Sequence, residues 1–312
     1  MKQYLKKIIV RIPGSLLITL ITIIFFLIEK IKIKNISKQN KIKLFNLNEF
    51  KKNSKQPFFI LGSGTSLNDL SVEEKKFINN STSVGLNYIF LSDLYPKFIF
   101  WEQNELSIDI IKFYSKVLRN KNQNISNYRP SLILYHGILN EVNDIRKFNK
   151  YFKSISIYSI AIILYLKKNN LKNMYKYLFH PSVLKFSNHG MIYGMHSSVD
   201  RAMLLAISSG YQEIIFVGVD LKDSKNFWEK IKFKQNIKKE LNLIKSKNSK
   251  ELHSVEKKRS KNNVEKTPLS EIIKITNEHF LIKGIKFYTY SKKSKLSKFL
   301  PIYKFPKKKR SL

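Results

Sequence analysis

Short unbroken apolar runs punctuate this chain, and most of them are followed by a stretch with helical spacing. Phe58-Phe59-Ile60-Leu61 closes on Gly62-Ser63-Gly64, the pattern of a strand covered on both faces that enters a tight turn. Ser83–Leu86, Phe98–Trp101, Leu132–Tyr135 and Ile214–Val217 read as further strands. Helical periodicity runs over Ile108–Leu118, Leu171–Leu178 and Ser197–Ser209, then again over Pro268–Phe280, ahead of a last strand near Ile285–Tyr288. Strands alternating with helices predict an α/β fold: a Rossmann-like, mostly parallel sheet flanked by helices. The stretch Asn226–Lys266 is densely charged and lacks apolar periodicity, so it reads as a basic lid or insertion.

The N-terminus follows a different pattern. Lys2, Lys6, Lys7 and Arg11 precede an uncharged run from Ile12 to Ile28, which meets only the lower bound for a spanning helix. Glu29-Lys30-Ile31-Lys32 follows where a signal peptide would carry small residues for cleavage, and lysines continue at 34, 38, 41 and 43. The reading is an N-terminal membrane-anchor helix, either one short span or a helix lying in the interface. The body would sit on the cytoplasmic face of the inner membrane, because positive charge after the run rivals that before it. The competing reading is a buried core helix. The expected division is an anchor and linker over 1–46, an α/β core over 47–225, the insertion over 226–266, and a completing helix, strand and basic tail over 267–312.

Charge changes this picture less than its size suggests. The chain has 58 Lys and Arg against 22 Asp and Glu, a formal net charge of +36. Such a surface attracts anions of every kind, and bulk charge does not choose among lipid, nucleotide and acidic sugar. Basic residues are spread along the sequence with no zinc-finger or basic-zipper pattern, so nucleic acid is not among the expected partners. The chain has no cysteine, which excludes disulfides, thiolate metal sites and cysteine nucleophiles.

Three segments carry candidate chemistry. Gly62-Ser63-Gly64-Thr65-Ser66-Leu67 could let a phosphate or ribose approach the backbone, or could be a plain strand-to-helix turn. His196-Ser197-Ser198-Val199-Asp200 opens a helix with the spacing of a capping box, and the same helix end could receive an anion. That helix leads into a strand closing on Gly218-Val219-Asp220-Leu221, with Asp220 where open α/β sheets place ligands. In the insertion, the His253 imidazole is suited to taking a proton from a sugar hydroxyl, or is simply solvated. None of the six histidines has HExxH spacing, and neither an Asp-x-Asp pair nor a GxSxG elbow occurs. No metal site is therefore expected.

Together these segments resemble the bacterial lipooligosaccharide sialyltransferases of glycosyltransferase family 42. That family's G-N-G-P-S-L is matched by Gly62-Ser63-Gly64-Thr65-Ser66-Leu67, and its C-N-Q-F by Leu86-Asn87-Tyr88-Ile89. Its T-S-G-V and G-Y-K-E-I-Y-L-S-G-I-D look like Ser197-Ser198-Val199 and Gly210–Asp220, and its G-H-S like Leu252-His253-Ser254. The resemblance implies a single-domain GT-A-type variant that inverts and is metal-independent. It would transfer sialic acid or another nonulosonic acid from a CMP-activated donor, with no separate cofactor. By the same likeness Gly62, Ser63, Gly64, Thr65 and Asn87 would contact the nucleotide, Ser197 and Ser198 the donor's acidic groups, and His253 would be the general base. Three positions depart from the family pattern. Lys222 and Phe227-Trp228 stand where the family has two tyrosines beside the leaving phosphate, Glu102 replaces an asparagine after the third strand, and Met195-His196 replace an arginine. Lys222 is the candidate substitute as phosphate partner. Expected partners are the donor, a surface glycolipid or polysaccharide acceptor, the membrane surface and, as an option, further copies of the chain. The alternatives are a pterin pyrophosphokinase-like enzyme using ATP and Mg²⁺, and a non-catalytic basic binding protein tethered to the membrane.

Overall fold

The computed structural model describes residues 15–51, 56–101, 113, 116–121, 128–135, 152–162, 190–194, 197–222, 226–230 and 267–306. Its strands are β1 (Lys43–Leu44), β2 (Phe58–Leu61), β3 (Thr82–Leu86), β4 (Phe98–Trp101), β5 (Ser131–Tyr135), β6 (Ser154–Ile162), β7 (Met191–Gly194), β8 (Glu213–Val217) and β9 (Lys286–Thr289). They form one sheet in the order β1-β6-β5-β4-β3-β2-β8-β9, with β7 paired to the second half of β6. Every pairing is parallel. The chain leaves β2 toward β3, β4, β5 and β6, then returns to the other side of β2 as β8 and β9. Strand order thus reverses at β2 and β8, where sheets of this class leave a crevice beyond the strands' C-terminal ends.

The helices are α1 (Ser15–Asn40), α2 (Asn48–Lys51), α3 (Val72–Asn80), α4 (Ser198–Ser208) and α5 (Leu269–Leu281). Helix α3 starts at a capping box in which Ser71 and Glu74 satisfy each other's backbone amides. Strand β2 is buried along its whole length, as its four apolar residues require. One end of its cover is Phe50, whose ring stacks on Phe98 at 3.9 Å and whose carbonyl accepts the Tyr211 hydroxyl at 2.7 Å. Nearer the chain's end, Phe305 stacks on Phe59, and Tyr303 meets the same ring edge-on.

Three expectations need revision or fall outside the described residues. No helix among the described residues is long and apolar enough to cross a membrane, so the spanning anchor is not borne out. The apolar run continues into the charged turns of α1, and that part of the helix packs on β6: Ile33 is fully buried and Glu29 accepts the Ser159 hydroxyl at 2.8 Å. Second, β1, β6 and β7 had no counterpart in the sequence reading. Strand β6 alternates serine with isoleucine, and its Ser156 and Ser159 are buried between neighbours where an apolar face would be sought. Third, the helix read over Leu171–Leu178 lies outside the described residues. So does all of the insertion beyond residue 230, where the lid was placed.

Candidate donor site at the C-terminal rim of the sheet

Three strand ends meet at the reversal point. The Gly62 amide donates to the Val217 carbonyl at 2.8 Å, and the Gly64 amide to the Gly218 carbonyl at 2.7 Å. The turns after β2 and β8 therefore lie directly against each other. A β-carbon at Gly62 would collide with the Gly218 carbonyl, and one at Gly64 with the Asp220 carboxylate. Close approach of two protein loops is thus what these glycines first allow. Gly218 adds a φ of 68°, in the left-handed region that favours glycine.

Asp220 fastens the crossing. Its carboxylate accepts the Ser66 amide at 2.9 Å and the Ser66 hydroxyl, with the Thr65 hydroxyl at the outer limit of 3.5 Å. The group is 9% exposed. It holds the glycine turn in place, a positioning role, rather than reaching outward for a ligand. The Asp220 carbonyl in turn accepts the Lys295 amide at 2.8 Å, which ties in the segment after β9. Leu221 then takes a φ of 57°, and Lys222 emerges exposed beside the rim.

The start of the insertion folds back over this crossing. Asn226 bridges to Gly64, the Phe227 amide donates to the Ser63 carbonyl at 2.9 Å, and Asn68 Nδ2 donates to the Phe227 carbonyl at 3.0 Å. Phe227 and Trp228 are buried, and the Trp228 ring stands edge-on to Tyr88 at 5.2 Å. Sequence reasoning noticed these two aromatics only as departures from a family pattern. Their signal was a Phe-Trp pair standing alone in a charged stretch.

The second strand contributes Asn87, the residue after β3, at a φ of 47°. Asparagine tolerates this conformation because its short amide can bond locally. The Asn87 amide lies 3.5 Å from the Ser198 hydroxyl, a long contact between residues 111 apart in sequence. Asn87, Ser197 and Ser198 are each half-buried. The two serines part company here. The Ser197 hydroxyl accepts the Asp200 amide and the Ser197 amide donates to the Asp200 carboxylate, completing a capping box. Buried Asp200 also places negative charge at the positive end of the α4 dipole. Ser197 is thus the structural cap, and Ser198 the hydroxyl that faces Asn87. One helical turn on, Arg201 lies alongside Gly194, where a β-carbon would overlap its side chain. This half-buried cation at the serine end of α4 was missed in the sequence, where an arginine was sought only ahead of the serines.

The structure therefore brings Gly62, Ser63, Gly64, Thr65, Asn87, Ser197, Ser198, Asp220 and Lys222 to the loops around one rim. His253 and Glu102 lie outside the described residues, Glu102 immediately following the last residue of β4. The glycine amides and the Ser66 amide are spent within the protein. Around the rim stand the neutral hydrogen-bonding side chains of Ser63, Thr65, Asn87 and Ser198, with Lys222 exposed and Arg201 half-buried at the start of α4. That set suits a polar molecule with hydroxyls and a few negative charges better than a naked polyphosphate. Among the described residues no group of three or more His, Asp or Glu side chains is arranged to hold a metal ion.

No protein-family model matches the sequence, and no curated protein matches it. Among solved structures the chain is similar to the sialyltransferase CstII from Campylobacter jejuni in complex with the substrate analogue CMP-3FNeuAc. The identity is 16% and the TM-score 0.42, covering 79% of this chain and 86% of that one. For CstII with a trisaccharide acceptor and CMP, the values are 17% and 0.40 over 79% and 86%. For the monofunctional alpha-2,3-sialyltransferase Cst-I from the same organism they are 18% and 0.44, over 80% of this chain and 81% of that one.

Proposed function

We propose that this protein is a glycosyltransferase that moves sialic acid or another nonulosonic acid from a CMP-activated donor to a glycan acceptor. The observation that carries the reading is the convergence of Asn87 and Ser198 beside the crossed turns of β2 and β8. In this reading Ser63, Thr65 and Asn87 bind the nucleoside and its phosphate. Ser198 and Arg201 take the donor's carboxylate or phosphate. Lys222 offsets charge on the departing CMP.

The chemistry then needs one more group. The acceptor hydroxyl oxygen forms a bond to the anomeric carbon while the bond from that carbon to the CMP phosphate oxygen breaks. His253 takes the hydroxyl proton, and CMP leaves with the electron pair, inverting the centre. The leaving phosphate is already activated, so no metal enters this scheme.

A thermal-shift series tests it. CMP at about 100 times its dissociation constant should add about 2.7 kcal/mol of stability, unchanged by EDTA, with little response to UDP or ATP. Stabilisation by ATP that requires Mg²⁺, with none by CMP, would replace this reading with a pyrophosphokinase-like one.

A further inference from the structure

Helix α1 has two apolar faces, and the sheet covers only one. Phe26 and Ile33 are buried, Ile36 packs on the core, and Glu29 bonds to Ser159. On the other side Ile24, Leu27, Ile28 and Ile31 are exposed by 48%, 45%, 53% and 62%. Their spacing of i, i+3, i+4 and i+7 puts them on one stripe, and at about 100° per residue that stripe lies nearly opposite Ile33. Among the described residues the other strongly exposed large apolar side chains are Val72, Leu281 and Ile282, so over half of them fall on this stripe.

The surroundings identify the occupant. By the same helical geometry Lys30 and Lys34 border the stripe on one side and Lys32 on the other, with Lys38 near its end. Glu29, the one acidic residue of this helix, is turned to the sheet. A second copy docked on the stripe would bring these lysines against their own equivalents. An anionic lipid surface instead offers acyl chains to the isoleucines and phosphates to the ammonium groups.

We propose that α1 docks the protein peripherally on an anionic bilayer. The helix lies along the interface, with Ile24, Leu27, Ile28 and Ile31 at the boundary between headgroups and acyl chains. This docking does not depend on the donor reading, and its test needs no nucleotide.

The full chain should co-sediment with phosphatidylcholine vesicles containing phosphatidylglycerol, and progressively less as salt rises. The variant carrying Ile24→Asn, Leu27→Gln, Ile28→Gln and Ile31→Gln should bind at least tenfold more weakly while keeping its circular dichroism spectrum. Should that variant misfold, Lys32→Gln, Lys34→Gln and Lys38→Gln serve instead, each lowering affinity for the anionic vesicles on the order of fivefold. Wild-type protein left in the supernatant, or binding unchanged in these variants, would overturn the proposal. So would a vesicle-free dimer that the apolar substitutions dissociate.

Discussion

Asp220→Ala should destabilise the protein by about 3 kcal/mol, because it leaves the buried Ser66 amide and hydroxyl without their acceptor. In a chain of this size that is a loss of several degrees in Tm. Asp220 stands at the end of a strand, where sequence logic places a ligand-binding acid, yet its carboxylate is directed into the glycine turn. Thermal denaturation separates the two roles. A ligand-binding acid could be removed at little cost to the free protein, and a fastening acid could not. A melting temperature unchanged in Asp220→Ala would contradict the fastening role and leave the carboxylate as a ligand-binding acid.

His253→Ala should lower the rate of CMP release by about two to four orders of magnitude, the usual contribution of a general base. The loss should fall on turnover and leave CMP affinity within a fewfold of wild type, since the imidazole acts on the acceptor. In the wild type the rate should rise with pH as the ring loses its proton, because only the neutral imidazole can accept one. That limb should vanish in the alanine variant. Wild-type turnover in His253→Ala would remove this residue from the mechanism.

The strands that build the site were legible because their burial is unambiguous. Phe58–Leu61 and Ile214–Val217 carry consecutive apolar side chains and form two neighbouring parallel strands of the sheet. Strand β6 was not, since Ser154-Ile155-Ser156-Ile157 buries hydroxyls as well as isoleucines. The N-terminal helix misled for a related reason. An apolar run with lysines at both ends resembles a membrane span, but no described helix is long and apolar enough to cross one, and just beyond the run Ile33 and Glu29 pack against β6.

Within the site, the sequence marks residue types more readily than it fixes their contacts. Glycines, serines and an aspartate stand out in separate segments, and the structure sets the described ones on neighbouring loops. Which of them face outward depends on hydrogen bonds between residues more than 100 positions apart, as between Ser66 and Asp220 or Asn87 and Ser198. Sequence spacing does not encode those. Ser197 shows the opposite case: its capping role was readable from Asp200 three residues on, and the structure realises it.

The claim that the end of β3 and the start of α4 share one donor site is tested most directly by a double-mutant cycle in CMP binding. Calorimetric affinities would be measured for wild type, Asn87→Ala, Ser198→Ala and the double variant. Each single change should weaken CMP, and the pair should couple by about 0.5 kcal/mol or more, as for groups acting on one ligand. Strictly additive effects, or CMP affinity indifferent to either residue, would contradict it.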